Sequence, residues 1–377
     1  RHTRYISVTG VQTCALPICV NLRALLEEMI QRGASDLHIT AGEKAKLRID
    51  GEIVNSVNDY ALTPKDTLQV AYSVLTENQK KRFETENELD FSFGIQGLAR
   101  FRGNCFKQRG CVSIVMRQIP FNIKTFADLK LPPVIAMMAE KPRGLVLVTG
   151  PTGSGKSTTL AAMIDYINDH LAKHIITIED PIEFVHPIKK SVIVHREVGE
   201  HTQSFAAALK GAMRHDPDIL LLGEMRELET IRLALGCASM GMLVFGTLHT
   251  NNAAKTVDRI INTFPAEEQN QVRVMLAGCL AGVVAQLLCK RVPKGRCAVH
   301  EILLTHEALP NTIRSGQIAN IRSIIESGGA DGMVTMDTSL MNRVKDGTIE
   351  AKEAYMKAAN KALFAPLLKP GDLDGGH

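Results

Sequence analysis

The segment Gly150-Pro-Thr-Gly-Ser-Gly-Lys-Ser157 constrains this chain more than any other stretch of it. It satisfies the pattern G-x-x-x-x-G-K-[S/T], with an apolar run at 145–149 before it and a helical pattern over 158–170 after it. A strand that turns through glycines into a helix must be followed by a crossover back to the sheet, so this unit predicts an α/β architecture with parallel strands. Further apolar runs at 175–178, 219–222 and 243–247 alternate with helical stretches, the pattern of a parallel sheet covered on both faces.

The glycines let backbone N–H groups turn inward around phosphate oxygens, and the following helix adds the partial positive charge of its N-terminus. The binding set predicted here is Gly150, Pro151, Thr152, Gly153, Ser154, Gly155, Lys156, Ser157 and Thr158. Lys156 is expected on the β- and γ-phosphates of ATP, and Ser157 on Mg2+. The bare pattern would arise by chance in roughly one or two per hundred chains of this length, and its strand and helix context lowers that further.

Three other strand ends carry candidate chemistry. The run Asp218-Ile-Leu-Leu-Leu-Gly-Glu224 is an apolar strand ending in an acid, which beside a phosphate loop reads as a second Mg2+ ligand, Glu224. Glu179-Asp-Pro-Ile-Glu183 sets three carboxylates just past the strand at 175–178, at the sheet edge where open parallel sheets bind ligands. A carboxylate there can orient and deprotonate an attacking water. Gly246-Thr-Leu-His-Thr250 brings His249 to a strand end, where it can sense a γ-phosphate. Without the loop, Glu224 reads equally well as a helix cap, the 179–183 cluster reads better as a solvated acidic loop with capping duty, and a lone histidine at a strand end is more often structural.

The remaining chain fixes the organisation. A length of 377 residues with 45% hydrophobic content allows two or three domains. Residues 1–19 share no pattern with the domain after them and read as a non-native leader segment. From Asn21 a helix with Leu22, Leu25, Leu26, Met29 and Ile30 on one face stops at Gly33, and strands come next at 37–40 and 47–53, the latter with an Asp50-Gly51 turn signal. Thr63-Pro64 opens another helix, and 89–93, 100–106 and 112–117 alternate as strands, so 20–119 reads as a small α+β domain. Prolines 120, 132 and 133 mark a connector at 120–133, 134–300 reads as the α/β domain, and 301–377 as a helical region. The apolar stretch 274–288, broken by Gln286, falls short of the ~20 residues that span a bilayer and reads as a buried core helix.

Charge and cysteine usage narrow the class. The formal net charge of +4 is a balanced mixture with no basic stripe, which gives no case for nucleic acid as a partner. Eight cysteines without a Cys-x-x-Cys pair read as reduced thiols rather than as a zinc site.

Taken in order, Gly33-Ala-Ser-Asp-Leu-His-Ile-Thr40, the phosphate loop through Met163, Glu179-Asp-Pro-Ile-Glu183, Gly223-Glu-Met-Arg226 and Thr247-Leu-His-Thr250 with Arg259-Ile-Ile261 resemble the secretion-ATPase superfamily, and within it the type IV pilus retraction ATPases, from Asn21 to about Leu363. The resemblance implies a PAS-like N-terminal domain, a RecA-like P-loop ATPase domain and a helical C-terminal region. It also implies a homohexameric motor at the cytoplasmic face of the bacterial inner membrane, reaching the membrane through a platform protein of the pilus machine. It assigns Glu183 as catalytic base, Glu224 as the Walker B acid, His249 to the histidine box, and Arg102, Arg109 and Arg117 as candidates that reach a neighbouring subunit's nucleotide.

Two positions depart from the family pattern. Ala308-Leu-Pro-Asn-Thr-Ile-Arg-Ser315 stands where retraction ATPases usually have Ala-Ile-Arg-Asn-Leu-Ile-Arg-Glu, which bears on coupling to the pilus rather than on hydrolysis. Glu227 replaces a frequent aspartate. An accessory retraction ATPase shares the motif order, whereas extension and type II secretion ATPases usually carry a four-cysteine module that these cysteine spacings do not form. A nucleotide-binding scaffold and a DNA-dependent motor are the readings from other classes.

Overall fold

The structure is a computed structural model that describes residues 20–49, 51–57, 59–119, 123–369 and 372, together with the backbone of a short strand, β1 (Tyr5–Ile6). Apart from that strand, the expected leader segment lies outside the described residues, as does Asp50. Two compact units divide the chain, Arg1–Asn122 and Ile123–His377.

In the first unit, helix α1 (Leu22–Gln31) is capped by the Asn21 side chain, which accepts from the Ala24 N–H at 3.1 Å. Strands β2 (Asp36–Ile39), β3 (Lys46–Ile49) and β4 (Glu52–Asn55) follow. Helix α2 (Pro64–Val74) opens with the predicted proline in its first turn and a reciprocal Thr63–Asp66 capping box. After α3 (Glu77–Glu86) come β5 (Glu88–Ile95), β6 (Ala99–Gln108) and β7 (Cys111–Ile119). The strands form one sheet in the order β1-β5-β6-β7-β2-β3-β4, antiparallel apart from the β1–β5 pair. On β6 the alternation is strict. Phe101 and Cys105 are buried in the core with Leu26, Met29, Leu37 and Phe91, while Arg100, Arg102 and Asn104 face outward.

In the second unit, the expected connector holds a short helix α4 (Phe126–Leu129), and α5 (Pro133–Ala139) begins at its last proline. There follow β8 (Gly144–Thr149), α6 (Lys156–His170), β9 (His174–Glu179), β10 (Val192–Glu197) and α7 (Phe205–Ala212). Then come β11 (Ile219–Leu222), α8 (Leu228–Ser239), β12 (Leu243–Leu248), α9 (Ala253–Asn262) and α10 (Gln269–Cys279). A hairpin of β13 (Leu280–Lys290) and β14 (Arg296–Leu304) closes the sheet, whose order is β10-β9-β11-β12-β8-β13-β14. All neighbours are parallel except β13–β14. Every residue of β8, β11 and β12 is buried, because helices cover both faces.

The stretch expected as one core helix, 274–288, is instead the end of α10 and most of β13. A continuous apolar run does not distinguish a buried helix from a buried strand by period. Here the β-branched Val283 and Val284 favour the strand, which lies beside β8 with Val284 opposite Val148. The expected boundary at residue 300 falls inside β14. Helices α11 (Leu309–Arg314), α12 (Ile321–Ser327), α13 (Met336–Lys345) and α14 (Ala351–Lys357) complete this unit. Pro310, the departure from the family motif, sits in the first turn of α11, where its missing N–H has no intrahelical partner to lose, and Leu309 and Ile313 still bury. Among the described residues no helix is long and apolar enough to cross a membrane.

Candidate nucleotide site

Because β9, β11, β12 and β8 run parallel, their C-terminal ends share one edge of the sheet. Across that edge stand Glu179 at the end of β9 and Glu183 after it, Glu224 after β11, His249 after β12, and the 150–155 loop after β8. Four segments far apart in sequence thus meet because of strand direction alone.

The loop is built around glycine. Gly150 has φ +145° and Gly155 φ +88°; a side chain on Gly150 would strike the Gln286 carbonyl oxygen, and one on Gly155 would come within 2.8 Å of Gln286 Nε2. Lys156 begins α6 and folds back over the loop, its Nζ donating to the carbonyls of Gly150 at 2.9 Å and Pro151 at 3.2 Å. Burial lowers the Lys156 pKa, while the charges of Glu224 and Glu183 act in the opposite direction. Those opposing charges place both acids in the electrostatic reach of the lysine. Ser157 and Thr158 are half-buried in the first turn of α6, and Ser154 is buried with its Oγ unpartnered.

Glu224 carries more contacts than a strand-end acid needs. Its Oε1 meets His249 Nε2 at 2.8 Å and also accepts from Arg226 Nε. The acid and the histidine expected in separate roles are therefore one pair, with Arg226 as a third member that sequence reasoning quoted but did not assign. The strand ends are tied together below them. Thr247 Oγ1 donates to the Gly223 carbonyl at 2.5 Å, and the Met225 N–H donates to the Thr247 carbonyl at 3.0 Å.

Glu183 is half-buried, and its backbone N–H donates to Glu179 Oε2 at 3.1 Å. Glu197 on β10 holds the same loop by accepting from the Ile182 N–H at 3.2 Å. Burial, with the nearby charges of Glu183 and Glu197, pushes the Glu179 carboxyl up to about 7 against its hydrogen bonds from Glu183 and Thr177. Of the three carboxylates that the sequence puts in this segment, Glu179 is the anchor of the loop, a role its position in the sequence does not reveal.

The three candidate arginines lie in the first unit. Arg102 and Arg117 are directly opposite on β6 and β7, and Asp36 on β2 lies opposite Arg117. Like charges so placed repel, and acids answer each: Arg117 Nε reaches Asp36 Oδ1 at 2.8 Å, and Arg102 reaches Asp90 at 3.8 Å. Arg109 does not join them. With φ +47° it forms, with Gly110, the tight turn between β6 and β7, seven residues along the chain or roughly 23 Å from Arg102.

The donors at the sheet edge suit Mg2+. A hydroxyl on Ser157 and a carboxylate on Glu224 are hard oxygen donors, the ligand type this cation takes. Among the described residues no group of three or more His, Cys, Asp or Glu is arranged to hold a metal by itself, and all six described cysteines are free.

The model of the type II/IV secretion system protein family matches residues 12–356. The chain belongs to this family. Its relatives include the type IV pilus retractation ATPase PilT of Pseudomonas aeruginosa, 48% identical over 90% of this chain and 98% of that protein. A twitching motility protein of Neisseria gonorrhoeae is 47% identical over 86% of this chain and 89% of its own length. Among solved structures, the pilus retraction motor PilT with bound ADP superposes with a TM-score of 0.86 and 44% identity, covering 91% of this chain and 98% of that one. The secretion ATPase fold is accordingly the one the sequence implied, a PAS-like α+β domain followed by a RecA-like P-loop ATPase domain.

Proposed function

We propose that this secretion ATPase hydrolyses ATP, with Mg2+, to drive retraction of type IV pili. The observation that carries the reading is the single sheet edge that gathers the phosphate loop, Lys156, Glu183 and the Glu224–His249 pair. The likeness to a pilus retractation ATPase over nearly its whole length supplies the biological direction.

In this reading Lys156 leaves the carbonyls of Gly150 and Pro151 for the β- and γ-phosphates, while the loop N–H groups hold the phosphate oxygens. Ser157 and Glu224 would hold Mg2+, which would supply neutralisation of phosphate charge. Glu183 orients the attacking water and takes its proton, and the bond from its N–H to Glu179 fixes where its carboxylate starts. His249, through Glu224, reports on the γ-phosphate side of the site. Arg102 and Arg117, paired across β6 and β7, act on the nucleotide of the neighbouring subunit of a homohexamer, and Arg109 is a separate candidate at the far end of that hairpin. That ring works at the cytoplasmic face of the inner membrane against the platform protein of the pilus machine.

Two linked measurements test this. The purified protein should hydrolyse ATP in a Mg2+-dependent manner with no stimulation by duplex DNA, and expression in a retraction-deficient strain should restore twitching. ATP turnover without restored twitching would leave the ATPase standing and remove the retraction role; turnover that required DNA would replace the reading with a DNA motor.

A further inference from the structure

Beneath the phosphate loop lies a polar group that the proposed reaction does not use. Gln286 and His300 are directly opposite each other on β13 and β14, each only 2% exposed in an otherwise apolar core. Gln286 Nε2 donates to the Ser154 carbonyl at 2.6 Å, and Gln286 Oε1 accepts from Thr159 Oγ1, in the first turns of α6, at 2.7 Å. His300 Nε2 lies 3.2 Å from the same Oε1. Burial, with Arg343 adding to it, lowers the His300 pKa to about 4, so the ring is neutral at physiological pH and its Nε2 carries the proton that faces Oε1. With two donors on Oε1, the amide has one orientation only, and its NH2 end must face Ser154.

We propose that Gln286 is a positioning residue of the nucleotide site, its amide oriented by His300 so that it fixes the Ser154–Gly155 peptide for phosphate binding. The peptide is planar and trans, so its carbonyl and N–H point in opposite directions. Holding the Ser154 carbonyl down toward β13 turns the Gly155 N–H up into the cradle. A flipped peptide would instead present a carbonyl oxygen to phosphate. The close approach also gives a reason for Gly155, whose missing side chain leaves the space that Gln286 Nε2 occupies.

This rests on the reading of 150–158 as the nucleotide site. The test measures the dissociation constant of a non-hydrolysable ATP analogue, steady-state KM and kcat, and thermal midpoint for wild type, Gln286→Met, Thr159→Val and Lys156→Ala. Gln286→Met keeps the length of the side chain and removes every hydrogen bond. Affinity should fall about tenfold or more, the worth of one to two net hydrogen bonds, with KM rising in step. Thr159→Val removes a bond in the same buried network but leaves the Ser154 contact, so it should lower the thermal midpoint while keeping affinity within about twofold. Should Gln286→Met not fold, Gln286→Leu, of similar volume and likewise without a donor for the Ser154 carbonyl, takes its place, and the same loss of affinity is expected. Affinity within twofold of wild type in the folded Gln286 variant overturns the positioning role. So does a loss in Thr159→Val equal to that in Gln286→Met, which would make the effect one of packing alone. Undiminished binding by Lys156→Ala would overturn the site reading itself, and the positioning role with it.

Discussion

The two sheets of this chain place their charged residues in opposite ways. In the second unit the central parallel strands β8, β11 and β12 are buried throughout, and the site's acids, lysine and histidine stand at one edge, where strands end and loops begin. The sheet of the first unit buries one face and spreads charge over the other, with Arg102, Arg117, Asp36 and Arg48 in adjacent register positions. An edge gathers groups around one point and suits bond making. A charged face covers area and suits contact with another surface. Substitutions at the edge should therefore change what each subunit does by itself, and those on the face what the assembly does.

The largest effect expected is that of Lys156→Ala. It removes a contact made to phosphate before and during the reaction, so ATP affinity should weaken by about 100-fold and turnover fall to background, read by equilibrium binding and ATPase assay. Arg102→Ala should separate the two sheets. Its isolated subunit should bind ATP as wild type does, while its admixture into wild type should depress activity more steeply than in proportion to its share. Strictly proportional loss would place Arg102 outside the active assembly.

Glu179 offers a finer test at the edge. Its folded pKa of about 7 exceeds the unfolded value near 4.5, so the folded state holds a proton that the unfolded state releases. Stability from this group is fully present below about pH 4.5 and is lost as pH rises toward 7, with a slope of at most about 1.4 kcal/mol per pH unit. Glu179→Gln should flatten that decline in thermal midpoint; an unchanged slope would assign the proton elsewhere. On the charged face the smallest effect belongs to Arg117→Ala. Burial of Asp36 opposes its ionisation, but Arg117 and Ser35 outweigh burial and hold its pKa below the ordinary value. Because Arg117 itself is largely exposed, its removal should cost about 1 kcal/mol of unfolding free energy. The loss should fade in acid as Asp36 is protonated.

Elements punctuated by local chemistry were legible from sequence. The Thr63–Pro64 helix start, the apolar runs of the parallel strands and the glycine pattern of the phosphate loop are each written within a few consecutive residues. What was not legible depends on neighbours distant in the chain. The stretch 274–288 changes from helix to strand because β8 offers it an edge, and no period within the stretch reports that. Gln286 registered only as a break in an apolar run, since Ser154, Thr159 and His300 come to it from elsewhere in the chain. Glu179 likewise looked like any acid in an acidic loop, and only its burial shows that it anchors Glu183. His249 meets Glu224 because β11 and β12 are neighbours, a fact of topology rather than of motif.

Hydrolysis at the parallel-sheet edge is tested most directly by Glu183→Gln, followed by single-turnover hydrolysis beside equilibrium ATP binding. The amide keeps the size of the side chain and leaves Lys156, Ser157 and the Glu183 backbone bond to Glu179 in place, so binding should stay within about twofold. Losing the group that accepts the proton of water should slow the chemical step by about 10² to 10⁴. Hydrolysis near the wild-type rate, with binding intact, would contradict the assignment and move the base to another carboxylate of the edge, Glu179 or Glu224.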